Sequence, residues 1–531
     1  MIKTLNIEYT GKQLPIVDNN IEDTSNYGVL SLETSDIKTN DLPILFHIML
    51  DVSGSMSDIV SHNRTKIQLL KHTIVNMIHY FAENTENVYI CVKGFDNNIH
   101  NYIEPILVSK SNVDILLNKI SKIRPIQSTD IGLALETLQN DMSNEINEDK
   151  YNVGILLTDG HPTSGKMEIN ELVNIILHDK TYHFIALGNE HNGDLMNALG
   201  NYHSETSNWF INEIEHTGNV YGEIIFNETN RLCKNNIIHV ENGTIYDYRK
   251  GTFHNQLNIG TLSREEKKEY HILANNQYIC NIFIEGIQIE SNEKYKKIAN
   301  KTKCNIGENL ETNNNIFVTK HYLRLCVQLL LYNVRSDLEK VRTIDNSFTC
   351  FQLPIHQPKL KKNDKYINHA KKLKKIILEV GKENNLENDL FLTGLINDLH
   401  VLLNTTGHVD QYKHITSRES SQGRQSSYNT ASQMEDDPID FHDISIPTLS
   451  RNSTTAYTTP SRVKLMRDIS NTHDETIITN ELLPPSRLKR ERLGSPMKYE
   501  EKANFEMPNS PLKRQPTLSS NEELYVDSSS P

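Results

Sequence analysis

The hexapeptide Asp51-Val52-Ser53-Gly54-Ser55-Met56 follows directly on the apolar run Ile44-Leu45-Phe46-His47-Ile48-Met49-Leu50. A run with one polar interruption predicts a strand covered on both faces, as in a parallel sheet between helices. Such a strand must turn sharply at its carboxyl end. Gly54 permits the turn, and one carboxylate and two hydroxyls then face a single point. Hard oxygen donors in that arrangement suit a divalent cation.

Two further segments complete the pattern. Ser128-Thr129-Asp130-Ile131-Gly132 precedes an amphipathic stretch and puts a hydroxyl at a helix start. Val153-Gly154-Ile155-Leu156-Leu157-Thr158-Asp159-Gly160 reads as a second buried strand that ends in a carboxylate and a turn glycine. Together the three resemble the metal-ion-dependent adhesion site (MIDAS) of the von Willebrand factor type A family, whose motif is Asp-x-Ser-x-Ser, a distant Thr and a distant Thr-Asp-Gly. The resemblance implies that Ser53 and Ser55 bind the metal directly, with Thr129 joining in the ligand-competent state. It implies that Asp51 and Asp159 hold the metal mainly through water and by charge. The implied cation is Mg²⁺, or Mn²⁺, with one position open for water or for an Asp or Glu of a protein partner. At Ser128 the chain departs from the family, which often has Gly before the Thr. Without a metal, the same residues would serve as two hydroxyl-capped turns and a strand-terminal Asp.

At 531 residues the chain exceeds one domain, and its 37% of hydrophobic residues supply a core for only part of it. A formal net charge of -13 argues against a general nucleic-acid binder, which needs a basic face. The start, Met1 to Glu8, has no apolar core of signal-peptide length. No stretch approaches the roughly 18 apolar residues of a membrane span. The expected location is therefore intracellular and cytoplasmic, with the nucleus as the alternative. The six cysteines, Cys91, Cys233, Cys280, Cys304, Cys326 and Cys350, form no Cys-x-x-Cys pair and read as buried free thiols.

From 42 to 235 strands and helices alternate, which predicts a doubly wound α/β domain with a mainly parallel sheet. Residues 1–41 and 236–312 carry short β-type runs separated by Gly and Asn turns, so a second, β-rich domain is expected there, with the N-terminal segment returning to it. The runs Gly243-Thr244-Ile245-Tyr246 and Asn258-Ile259-Gly260-Thr261-Leu262, leading to Glu265 and Glu266, resemble the β region that follows the type A domain in intracellular plant ubiquitin ligases. Residues 313–410 read as helical, because Val318, Tyr322, Leu325, Leu329 and Tyr332 recur at three- and four-residue spacing. Lys371, Lys372, Lys374 and Lys375 alternate with Leu373, Ile376 and Ile377, the pattern of the solvated edge of a packed helix.

Residues 411–531 turn to Ser, Thr, Asn, Pro and charge, and are expected to be disordered. Thr459-Pro460-Ser461-Arg462, Ser495-Pro496-Met497-Lys498 and Ser510-Pro511-Leu512-Lys513 resemble the consensus of proline-directed, cyclin-dependent-type kinases. Thr459, Ser495 and Ser510 are the phosphorylation candidates. Lys489-Arg490-Glu491-Arg492 is the one run that could serve nuclear import.

The favoured expectation is an interaction module or scaffold that binds an acidic residue of a partner through its metal, and not an enzyme. No phosphate-binding Gly-rich loop with a Lys and no nucleophile paired with a base is legible. His161 reads as a rim residue beside the metal. One alternative is an adaptor in ubiquitin transfer, without the RING module of the plant ligases, for which the cysteines are lacking. Another is a Mg²⁺-dependent phosphoryl hydrolase using Asp51, disfavoured because Ser53 stands where a second Asp is needed.

Overall fold

All eight side chains from Ile44 to Asp51 are buried, as a central strand under two helical layers requires. The computed structural model describes residues 1–9, 27–37, 42–61, 64–126, 128–144, 149–159, 161–188, 191–211, 217–275, 280–301, 316–346, 365–406, 411–426 and 457–470. The chain opens with β1 (Ile2–Tyr9) and β2 (Tyr27–Thr34), then forms β3 (Ile44–Asp51). A 3-10 turn (Gly54–Ser57) and a small hairpin, β4 (Ile59–Ser61) with β5 (Arg64–Thr65), lead into α1 (Lys66–Asn84). There follow β6 (Val88–Phe95), β7 (Ile99–Leu107), α2 (Val113–Ser121), α3 (Ile131–Met142) and β8 (Tyr151–Thr158). The layer closes with α4 (Ile169–Val173), β9 (Thr181–Leu187), α5 (Gly193–Gly200), β10 (Thr206–Ile211) and α6 (Thr217–Thr229).

The strands lie in the order β10-β9-β8-β3-β6-β7, parallel except for the edge strand β7, which turns back on β6. Phe46, Ile48 and Leu50 share a core with residues of α1 and α6, whereas Met49 faces α3. The period of two sends alternate side chains to opposite helical layers. The chain leaves β3 toward β6 on one side and comes back to β8 on the other. The crevice at the carboxyl ends of β3 and β8 is therefore the topological switch point, where open α/β sheets bind ligands.

Beyond α6 come β11 (Arg231–Glu241), β12 (Gly243–Asp247), β13 (Thr252–His254), β14 (Gln256–Ser263), β15 (Lys267–Ala274), β16 (Asn281–Gln288), β17 (Lys294–Ile298) and β18 (Asn300–Lys301). They form two sheets, β13-β12-β15-β2-β1-β18 and β14-β11-β16-β17. Leu5, Ile7, Leu30 and Leu32 from the chain start meet Ile238, Val240, Ile282 and Ile284 in one core between them. Helices α7 (Ile316–Asn346), α8 (Lys365–Glu383), α9 (Leu390–Asn404) and α10 (Gln411–Arg424) share a core that includes Tyr27 and Val29 of β2. Leu373 and Ile377 of α8 are buried while Lys371, Lys372 and Lys375 are exposed, the packed-helix edge expected.

Within the segment expected to be disordered from 411 onward, two stretches are helical, while 427–456 and 471–531 lie outside the described residues. In α10 even polar residues are enclosed: Glu419 pairs with Arg335, and Arg418 lies 3.4 Å from Asp398. A polar composition is no bar to burial when the charges are paired, and this is why composition misread it. Helix α11 (Pro460–Ser470) packs Leu465, Met466 and Ile469 into the core that contains α1 and α6. Asn76 Nδ2 donates to the Ile469 carbonyl over 2.9 Å. Gly222 allows this approach, since a Cβ there would lie 2.8 Å from Met466 Cα. Thr459 Oγ1 accepts from Arg462 N, and Arg462 is buried. Ser495, Ser510 and the Lys489-Arg490-Glu491-Arg492 run lie outside the described residues, as do Cys304 and Cys350. Cys91, Cys233, Cys280 and Cys326 are buried free thiols. Among the described residues no helix is long and apolar enough to cross a membrane.

Two outcomes follow from this packing. Gly222→Ala should force α11 away from α6 at a cost of about 1–3 kcal/mol, read as faster amide exchange over 460–470 with exchange in α7 unchanged. Burial, aided by the Lys413 charge, pushes the His191 imidazole down to about 3. The unfolded chain then takes up a proton near the ordinary 6.5 while the folded one does not, so stability falls as pH drops below that value. Denaturant titrations of wild type and His191→Phe should differ in their loss between pH 7 and pH 5 by about 2 kcal/mol, the variant losing less. Parallel losses would show that His191 is not the source.

Candidate metal centre

The turn after β3 is built by Asp51 itself. Its Oδ1 accepts from Ser53 N over 2.8 Å, an Asx-type turn that starts the 3-10 segment, and Met56 N then donates to Ser53 O over 3.1 Å. Met56 is buried and anchors the loop from below. Ser53 and Ser55, two residues apart on this turn, bring their hydroxyls to 2.9 Å from each other.

The end of β8 supplies the opposite wall. Thr158 Oγ1 donates to Asp51 Oδ2 over 2.7 Å, and Ser55 Oγ donates to Asp159 Oδ1 over 2.8 Å. Asp51, Ser53, Ser55 and Asp159 are thus joined in one hydrogen-bonded chain across the switch point. Each hydroxyl carries one proton and two acceptor positions, so both retain lone pairs for a cation. Asp51 and Asp159 are 0% and 1% exposed. Burial, with Asp159 adding to it, pushes the Asp51 carboxyl up to about 6, against the pull of hydrogen bonds from Ser53 and Thr158.

Lys66, which the sequence reading passed over, is the third member of this charge cluster. Its Nζ lies 2.7 Å from Asp159 Oδ2 and 3.5 Å from Asp58 Oδ2. A signal was available. Thr65 and Gln68 form a capping box, so Lys66 is the first residue of α1, where the helix dipole disfavours a cation. A buried lysine in that position needs a carboxylate.

Thr129 is held by a different set of bonds. Its N donates to Thr163 Oγ1 over 2.9 Å, and its carbonyl accepts from Thr163 N over 2.9 Å. Asp130, next to it, caps α3 by accepting from Leu133 N. Gly165, at φ 71°, sits so close that a Cβ would lie 2.3 Å from the Asp130 carboxylate oxygens. The Ser128 hydroxyl is buried with no hydrogen-bond partner among the described residues. Gly160 lies outside the described residues, and the His161 side chain is exposed.

The donor set tests well against a divalent cation. It is all oxygen, its two buried carboxylates are hydrogen-bonded to the hydroxyl-bearing turn, and one lysine offsets only one of the two negative charges.

Residues 46–161 match the family model of the von Willebrand factor type A domain. No curated protein matches the sequence. Solved structures similar to this chain include a von Willebrand factor type A protein from Catenulispora acidiphila, 12% identical, with a TM-score of 0.47 over 75% of this chain and 92% of that one. The ArnB paralog VWA2 from Sulfolobus acidocaldarius is 14% identical, with a TM-score of 0.44 over 81% and 98%. Proximal thread matrix protein 1 from the mussel byssus, with a zinc-occupied MIDAS motif, is 17% identical, with a TM-score of 0.30 over 37% and 50%. The matched span contains the strand ends that carry Asp51 and Asp159, and residues 46–161 are accordingly a von Willebrand factor type A domain within a longer chain.

Proposed function

We propose that this chain is an intracellular interaction module that captures a protein partner through a divalent cation, Mg²⁺ or Mn²⁺. Ser53 and Ser55 would hold the ion directly, with Thr129 joining in the ligand-competent state. Asp51 and Asp159 would act through water and by charge, and a partner Asp or Glu would complete the shell. The observation that carries this reading is the convergence of two buried carboxylates and two hydroxyls on one point at the switch crevice, balanced by Lys66 alone among the cations described there. The ion would supply positive charge that the protein's own groups leave short, and its affinity for a carboxylate would make binding specific for acidic partners. Buried free thiols accord with a reducing compartment. A proline-directed kinase at Thr459 would add negative charge at the start of α11, which a helix N-terminus favours, but Arg462 must first leave its buried position to be read.

The test pairs metal binding with partner capture. Calorimetric titration of Mn²⁺ into the full chain should show binding that Asp51→Ala abolishes. Capture from lysate should retain partners in Mg²⁺ that are absent in EDTA and absent with Asp51→Ala. The same partners in all three samples would overturn the reading.

Lys66 gives a separate check. Lys66→Met leaves the Asp159 carboxylate buried without its ammonium, and in EDTA the variant should lose about 3–5 kcal/mol. Mg²⁺ should then stabilise the variant more than it stabilises wild type, since the ion takes over the neutralisation. Equal stabilisation of both proteins would mean that lysine and ion do not share Asp159.

A further inference from the structure

His47 and Cys91 are register partners on the neighbouring parallel strands β3 and β6, so both project from the same face of the sheet. Above them lies the last turn of α3, which brings Asp141 down. One nitrogen of His47, the Cys91 sulfur and one oxygen of Asp141 all lie within 4.8 Å of one another. The glycine facing His47 on its other flank, Gly154 of β8, makes the approach feasible. A Cβ at Gly154 would stand 2.7 Å from Met142 Sδ and 3.2 Å from Leu138 Cδ2, and would hold α3 off the sheet.

The imidazole is prepared as a ligand. Asn152 Nδ2 donates to the Lys150 carbonyl over 3.1 Å, which turns Asn152 Oδ1 toward His47 Nε2 at 2.9 Å. Nε2 must therefore carry the proton, and Nδ1 keeps its lone pair. Nδ1 is buried with no hydrogen-bond partner among the described residues, and His47 is 2% exposed. An aliphatic residue would fill this interior position without that desolvation cost. A hydrogen-bond acceptor behind the imidazole that fixes its tautomer, here Asn152 Oδ1, is the arrangement found behind metal-bound histidines.

We infer that His47, Cys91 and Asp141 form a second metal site, separate from the cluster at Asp51, which takes Zn²⁺ and fastens the last turn of α3 to the sheet. The nitrogen, sulfur and oxygen set selects a borderline-soft ion, whereas the all-oxygen set at Asp51 selects a hard one. The two centres lie about 13 Å apart along β3, four residues at about 3.3 Å each. Zn–N near 2.0 Å and Zn–S near 2.3 Å put tetrahedral ligand atoms about 3.5 Å apart, so the three groups need close in by little more than about 1 Å. Burial pushes the Cys91 thiol up to about 12, and Asp141 adds to it, so the sulfur stays protonated until a metal arrives. On binding, the S–H bond breaks, a Zn–S bond forms, and one proton leaves to solvent. Asp141 turns one oxygen from Lys93, now 2.7 Å away, to the ion, and water fills the fourth position. Lys93 remains beside the carboxylate.

Cobalt titration of the full chain, freed of metal by chelator and kept reduced, reads this site directly. One equivalent of Co²⁺ should produce a thiolate-to-cobalt charge-transfer absorption that Zn²⁺ abolishes stoichiometrically. Cys91→Ser should remove the absorption, and Asp51→Ala should leave it intact. Should Cys91→Ser fail to fold, Asp141→Asn, closer to the surface, should weaken Co²⁺ binding at least about tenfold, the scale on which supporting groups alone act. No charge-transfer absorption, an absorption that survives Cys91→Ser, unchanged affinity in Asp141→Asn, or loss of the absorption in Asp51→Ala would each overturn the assignment.

Discussion

Asp51 ends β3 and Asp159 directly follows the neighbouring parallel strand β8, and both carboxylates are closed off from water. Two negative charges at that depth are tolerated only where donors and cations surround them, and the local structure is arranged to provide these. Ser53 folds back on Asp51 to begin the turn, Thr158 reaches across from β8, Ser55 ties the turn to Asp159, and Lys66 starts α1 against its own helix dipole. The loop after β3, the start of α1 and the end of β8 are thereby fixed to one another. The switch point of the sheet is a charge problem before it is a binding site.

Charge in the interior is handled in the same way elsewhere. Arg335, between Glu339 and Glu419, and Arg418 beside Asp398 lock α10 against α7 and α9. Removing one partner of such a buried pair would leave an uncompensated charge, so these contacts resist displacement of α10. Tyr27 of β2 reaches into the same unit, its ring edge against Tyr322 and its hydroxyl 2.7 Å from His271 Nδ1. His271, on β15, in turn places Nε2 3.0 Å from Gln328 Oε1 of α7, so the sandwich and the helices are joined through a polar contact as well as packing.

Much of the α/β layer was legible because its strands are covered on both faces. Short apolar runs such as Ile44 to Leu50, interrupted by His47 alone, and Val153 to Leu157 are too short for helices and fit strands covered on both faces. Strand β7 escaped notice: Ile99 to Leu107 is an edge strand with polar residues on its outer face, so the run carries no such signature. Asp51, Ser53 and Ser55 were legible together because a turn at a strand end makes sequence neighbours into spatial neighbours, whereas Asp159, 104 residues from Ser55, joined them only through the resemblance of the three-part motif. Lys66 stands outside that motif, and its place at the start of α1 called for a carboxylate without naming one 93 residues away. The His47, Cys91 and Asp141 group was hidden for the same reason, each residue reading singly as a polar interruption, a buried thiol and an end-of-helix acid.

The sequence by itself determined the parallel layer, the position of the turn that leaves β3 and the oxygen donors on that turn, because these depend on contacts a few residues apart and on the period of burial. Tertiary structure decided which charges meet. It set Lys66 on Asp159, buried the polar helix α10, and brought α11 onto α6 over a residue without a side chain. The physical reason is that hydrophobic pattern reports which face turns inward, whereas the worth of a buried charge depends wholly on a partner whose place in the chain no local pattern records.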